Sequence, residues 1–264
     1  MSRAEAPIRP GAEAVSRAGH GSLSGIGILL LHGFTGNPVS MRQLAELLSK
    51  RGFAVEVPRL PGHGTEPRDL LPYRYSDWRA EALAALGRLR ARTQTVCGVG
   101  LSGGGTLLLD LASSDDAKLD GVVTINAQIL DRGGLIVKLA PIIEKLIPIA
   151  PAGMAGLTKN DIKKGGDEQA YDWVAAAAGN SFVRALPEVR ARLGSLKSPV
   201  LVIYSRDDHS VPPANSKALP ELVGSKNVTV LELRDSYHVA TLDNDLPLLD
   251  ERVASFAESL SKTS

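Results

Sequence analysis

Gly100-Leu101-Ser102-Gly103-Gly104 follows the apolar run Thr95-Val96-Cys97-Gly98-Val99 and leads into Thr106-Leu107-Leu108-Leu109. That order reads as strand, sharp turn, helix. A serine on such a turn is held in a strained backbone conformation that lifts its hydroxyl clear of neighbouring side chains. Small residues must flank it, because strand and helix nearly touch there. In a chain with 26 glycines the five-residue pattern carries little weight alone. Its place between a strand and a helix, and the partners found downstream, make Ser102 a candidate nucleophile.

Working outward, Ile26 to Leu31 is a short continuous apolar run, as in a strand buried on both faces. Phe53 to Val57, Gly121 to Ile125, Pro199 to Tyr204 and Val228 to Leu233 read the same way. Between them, Met41, Leu44, Leu47 and Leu48, and then Trp78, Ala82, Leu83 and Leu86, recur at helical spacing. Leu248 to Leu260 closes the chain as an amphipathic helix. Strands alternating with helices predict an α/β fold with a mostly parallel central sheet and helices on both faces. Ligands of such sheets bind beyond the carboxyl ends of the strands.

The alternation fails over residues 127–196, which show helical patches and no convincing strand. This stretch is expected to be a helical cap inserted into a core made of residues 23–126 and 197–264, with residues 1–22 a loosely ordered tail. The run from Leu135 to Ile149 is unusually apolar, and Tyr171-Asp172-Trp173 follows it. Such side chains on a cap's inner face would both glue it to the core and line an acyl-chain pocket. Lys138, Glu144 and Lys145 interrupt the run, which suits a lid touching a lipid surface better than a membrane anchor.

A chain of 264 residues, 44% hydrophobic and 22% charged, fits one hydrophobic core with an insertion. The net charge of +1 gives no reason to expect a nucleic-acid partner. The single cysteine, Cys97, excludes an internal disulfide, and its place on the strand before Ser102 reads as a small buried apolar side chain. Met1 to Ser22 lack the apolar core of a signal peptide, and no uncharged run reaches membrane-spanning length. A soluble, cytoplasmic protein is expected. No metal or cofactor is implied: there is no His-Glu-x-x-His, no paired-cysteine site and no glycine-rich loop followed by lysine.

A serine hydroxyl is almost fully protonated at neutral pH. It needs a base to take its proton and a third group to hold that base. Of five histidines, His238 lies just past the strand Val228 to Leu233, on the late loop where such a base belongs. His20, His32, His63 and His209 are read as hydrogen-bonded structural residues. The acid should follow the strand Pro199 to Tyr204, where Asp207 and Asp208 stand side by side. Asp208, nearer the Val211-Pro212 turn, is preferred, with Asp207 a solvated or loop-bracing neighbour. The order serine, acid, histidine is that of α/β hydrolases. Negative charge developing on a substrate carbonyl oxygen needs two backbone N–H donors. Gly103, at the start of the helix after Ser102, and Phe34, in the break after the first apolar strand, are the candidates.

Five segments carry a resemblance: Leu31 to Gly36, Pro58 to Thr65, Gly100 to Gly104, Asp208 to Pro213, and Ser236 to Asp243. In these the chain resembles the α/β-hydrolase fold enzymes of the bacterial carboxylesterase and monoacylglycerol lipase group. The resemblance implies a triad of Ser102, Asp208 and His238, an oxyanion hole from Phe34 and Gly103, and a small cap over an acyl pocket. It implies hydrolysis of carboxylic esters, with monoacylglycerols as a natural class and a small-molecule or monomeric lipid ester as the partner. In lipases of this kind an acid in the cap reads the glycerol head. Glu168 falls where it would be expected, with a surface carboxylate as the other reading. Relatives usually carry a bulky apolar residue directly after the nucleophile, so Gly103 predicts a roomier acyl site. The same triad would serve thioester cleavage, amide cleavage or acyl transfer, and a ligand-binding scaffold without turnover is the reading from another class.

Overall fold

The computed structural model describes residues 5–130, 144, 146–155 and 158–261. Its strands are β1 (Val15–Arg17), β2 (Ile26–Leu31), β3 (Ala54–Val57), β4 (Thr95–Leu101), β5 (Gly121–Ile125), β6 (Ile149–Pro151), β7 (Trp173–Ala175), β8 (Val200–Ser205) and β9 (Val228–Leu233). Seven of them form one sheet in the order β1-β3-β2-β4-β5-β8-β9. All neighbours in it are parallel except β1, which runs antiparallel to β3. Among the described residues the α-helices with assigned bounds are α1 (Val39–Arg51), α2 (Tyr75–Arg90), α3 (Gly103–Ala112), α4 (Ala176–Arg192), α5 (Ala214–Leu222) and α6 (Leu246–Leu260).

The continuous apolar strands make sense once both sheet faces are seen to be covered. Ile28, Leu30, Cys97, Val99, Val123 and Ile203 point to one face, where Met41, Leu44 and Leu48 of α1 and Leu249, Val253 and Ala257 of α6 complete a core. Leu29, Leu31, Val96, Val122 and Val202 point to the other, against Trp78 and Leu86 of α2, Leu107 and Leu111 of α3, and Leu219 of α5. Alternate residues thus feed two cores, which keeps these strands apolar at most positions, with Glu56 and Thr124 among the buried polar exceptions. Each fully buried leucine removes enough apolar surface from water to contribute about 2 kcal/mol. Cys97 is fully buried, and burial pushes its thiol far above the ordinary range, in keeping with a packing role.

Two expectations need correction. Part of the segment read as a loose tail is ordered: Val15 to Arg17 pair with Val57 to Val55 as an edge strand. Upstream, Arg9 donates to the carbonyls of Thr65 at 2.7 Å and Gln169 at 3.0 Å. A three-residue strand is too short to show an alternating pattern, which is why its composition suggested disorder. Second, the inserted stretch does contain strands, β6 and β7, paired antiparallel through Ile149 with Ala175. The later part of this stretch packs against the core. Ala178, Phe182, Leu186 and Val189 of α4 join the cluster under α2 and α3. Within Tyr171-Asp172-Trp173, Tyr171 is buried and Trp173 is 48% exposed. Most of the apolar run from Leu135 to Ile149 lies outside the described residues. No described helix is long and apolar enough to cross a membrane.

Candidate active site

Ser102 sits where β4 ends and α3 begins, with φ 52° and ψ −121°. Its N–H donates to the Ile125 carbonyl at 2.8 Å, while its own carbonyl accepts from Gly105 and Thr106 to start the helix. The flanking glycines are sterically required. A Cβ on Gly100 would lie 2.5 Å from the Gly104 oxygen, and one on Gly104 would overlap the Leu31 carbonyl. The left-handed serine is therefore held by a strand and a helix pressed too closely for side chains.

Beyond β8, the Asp208 carboxylate is tied down by its own loop: Oδ1 accepts the N–H groups of Ser210 and Val211, both at 2.8 Å. Its Oδ2 meets His238 Nδ1 at 2.8 Å, with the Asp208 side chain 1% exposed. Asp207 is exposed, which separates the two neighbouring acids. Burial alone would lower the His238 pKa. The charge and hydrogen bond of Asp208, with further help from Glu168 and Asp161, outweigh it and hold the pKa above the ordinary histidine value. An anionic partner at Nδ1 fixes the tautomer that leaves Nε2 free to accept a proton. His238 and Ser102 line one cleft with Phe34, Gln128, Glu168 and Val211.

The two candidate N–H donors lie beside the serine. A Cβ on Gly33 would come within 3.2 Å of the Ser102 Cβ. One on Gly103 would lie 3.1 Å from the Phe34 nitrogen, 3.3 Å from the Phe34 Cβ and 3.4 Å from Phe182 Cε2. Immediately around Gly103 the packing is close: Phe34 and Phe182 stack beside it with ring centroids 5.8 Å apart. Glycine at this position lets the Phe34 backbone approach α3.

Glu168 is buried on the cleft rather than lying at the surface. Its Oε1 accepts the Asn160 N–H at 3.0 Å, and its own N–H donates to Asn160 Oδ1 at 2.9 Å. Burial raises its pKa against the opposing pull of the Asn160 N–H and His238. The other histidines behave as structural groups. His32 Nδ1 bonds the Gly33 carbonyl and its Nε2 accepts the Leu60 N–H. His63 bonds the Pro61 carbonyl, His20 the Ser49 carbonyl, and His209 the carboxylate of Asp161.

Sequence reasoning missed residues that hold these loops. Asn126, with φ 50°, donates to the His238 carbonyl at 2.7 Å. Asp243 accepts from the N–H groups of Lys163, Lys164, Tyr237 and Asn244. Asp161 faces both His209 and His238. Only the place of Asn126, directly after a core strand, offered a signal.

Residues 28–252 match the alpha/beta hydrolase family, and the chain belongs to it. It is 37% identical over 245 residues to a thermostable monoacylglycerol lipase of Bacillus sp. (strain H-257), covering 88% of this chain and 90% of that one. It is 24% identical over 242 residues to a carboxylesterase of Bacillus subtilis (strain 168), covering 88% of this chain and 92% of that protein. Both names denote carboxylic ester hydrolases. Among solved structures, one from work on the metagenome-derived lipolytic enzymes LipS and LipT superposes with a TM-score of 0.87 at 35% identity, covering 96% of this chain and all of that one. A monoacylglycerol lipase of Paleococcus ferrophilus shares the fold with a TM-score of 0.72 at 20% identity, over 90% of this chain and 95% of its own.

Proposed function

We propose that this protein is a serine ester hydrolase acting through an acyl-enzyme, with monoacylglycerols as its substrate class. The observation that carries the reading is the 2.8 Å contact of Asp208 with His238 on the cleft that also contains Ser102. In the first half-reaction, His238 Nε2 takes the Ser102 hydroxyl proton as Oγ bonds to the ester carbonyl carbon. The C=O electron pair moves onto oxygen, where the N–H groups of Phe34 and Gly103 receive it. Each such donor is worth about 3 kcal/mol to the transition state. Collapse breaks the C–O bond to the alcohol, which leaves with the proton from His238. Water then repeats the sequence on the acyl-serine and releases the acid. Asp208 keeps its charge throughout and stabilises the imidazolium.

The alcohol side of the reading rests on Glu168, a buried carboxylate on the cleft able to accept hydrogen bonds from glycerol hydroxyls. The kinship with a monoacylglycerol lipase points the same way. Leu146, Met154 and Trp173 are exposed at 77%, 70% and 48%, which supports transient contact of the cap with a lipid surface, to be read by liposome co-sedimentation. The central experiment compares the protein with Ser102→Ala on p-nitrophenyl and glycerol esters of graded chain length. Loss of turnover by factors of about 10⁶ is expected, as for other serine hydrolases. A fluorophosphonate should label the unsubstituted protein once, at Ser102. Retained ester turnover in Ser102→Ala would overturn the reading.

A further inference from the structure

We infer that Asp161, contributed by the segment between β6 and β7, is a positioning residue that holds His238 and the Asp208 loop in register. This inference rests on the ester hydrolase reading above. Asp161 has a side chain 5% exposed. Its Oδ1 meets His209 Nδ1 at 2.8 Å, and its Oδ2 accepts the backbone N–H of His209 at 3.1 Å and of His238 at 3.3 Å. Its main-chain carbonyl accepts the Val239 N–H at 3.0 Å. One residue therefore receives the N–H groups of both peptides flanking His238. The carbonyls of the same two peptides are held from the sheet: Ser205 Oγ donates to the Tyr237 oxygen at 2.7 Å and Asn126 Nδ2 to the His238 oxygen at 2.7 Å.

With all four groups fixed, neither peptide can rotate, and the imidazole hangs from a backbone with one orientation. The contacts to His209 extend the same hold to the residue that directly follows Asp208. A buried carboxylate is costly unless its lone pairs are met, and two of the three groups meeting this one belong to the main chain of the loops carrying the acid and the base. Asp161 is itself aimed by its neighbours. Asn160 is left-handed, with φ 54°, and is locked to Glu168 by the reciprocal bonds described above. Segment 160–164 is thus part of the framework of the site, further stapled by Lys163 and Lys164 N–H groups donating to Asp243.

The test uses Asp161→Ala and Asp161→Asn in the full chain with p-nitrophenyl butyrate, normalised to folded protein by circular dichroism. A misplacement of reacting groups by about 1 Å costs on the order of 100-fold in rate. Asp161→Ala is expected to lose about 30- to 100-fold in kcat with KM within about 3-fold of the parent. Asp161→Asn keeps one oxygen for both N–H groups and should recover most of that loss. The anions facing His238 are Asp208, Glu168 and Asp161, so removing one charge in either variant should move the acid limb of kcat/KM to lower pH. If Asp161→Ala does not fold, the acid limb of Asp161→Asn decides. Parental kcat in folded Asp161→Ala, or an acid limb unmoved in Asp161→Asn, would overturn the inference. Fluorophosphonate labelling of the parent separates the two levels. A parent that is labelled and turns over ester, beside an unaffected Asp161→Ala, sinks the Asp161 role alone. A parent that does neither sinks the ester hydrolase reading and this inference with it.

Discussion

Acid should destabilise this protein through His32, and the size of the effect can be worked from its surroundings. His32 is fully buried one residue before Gly33, in the loop that carries Phe34. Burial pushes its pKa down from 6.5 to about 4, against the opposing pull of the Gly33 carbonyl and with some help from Arg59. Because the folded value lies below the unfolded one, the unfolded chain binds the proton more readily between about pH 6.5 and pH 4. Stability from this group is complete above pH 6.5 and is lost as pH falls towards 4. The full difference is about 3 kcal/mol, of which about 2 kcal/mol is lost between about pH 7.5 and pH 5. The chemistry is visible in the contacts: Nε2 accepts the Leu60 N–H at 3.2 Å, and a proton there would abolish the acceptor. Urea unfolding at about pH 7.5, 6.5 and 5 should show the midpoint falling in the parent, with a shallower fall in His32→Gln, whose side chain does not titrate. Equal pH slopes in the two proteins would refute the argument.

Glu168→Gln should raise KM for glycerol esters about 10-fold, the loss of one charge-assisted hydrogen bond, while leaving p-nitrophenyl esters nearly unchanged; equal effects on both would remove Glu168 from alcohol recognition. Gly103→Met should displace Phe34, because even the Cβ would lie 3.1 Å from its nitrogen. We expect kcat to fall about 10- to 100-fold with a smaller change in thermal stability, checked by kinetics beside differential scanning calorimetry. Asp243→Ala strips the acceptor from four N–H groups and should destabilise the fold by about 3 to 5 kcal/mol in chemical denaturation. Ester kcat/KM should rise with pH along a limb lying above pH 6.5, since His238 must be neutral to act as base and its pKa is raised; a limb below that value would contradict the anionic surroundings described for it.

The α/β alternation and six of the seven strands of the main sheet were legible in the sequence, because the central strands are covered on both faces and so are apolar at most positions. The turn at Ser102 was legible for a related reason: only glycine tolerates the approach of Gly100 to Gly104, so steric need is written as residue identity. Asp208 and His238 were legible as residue types placed just beyond strands, where this topology opens its cleft. What sequence could not show was anything decided by backbone groups arriving from distant segments. The crowding of Gly103 depends on Phe34 and Phe182, which are far apart in the chain. The hold of Asp161 on His238 uses main-chain N–H groups, which every residue except proline possesses and which therefore leave no mark in composition or spacing. Local sterics and burial write themselves into the residues that bear them, whereas hydrogen bonds to a shared backbone come into being only when the folded chain sets those segments side by side.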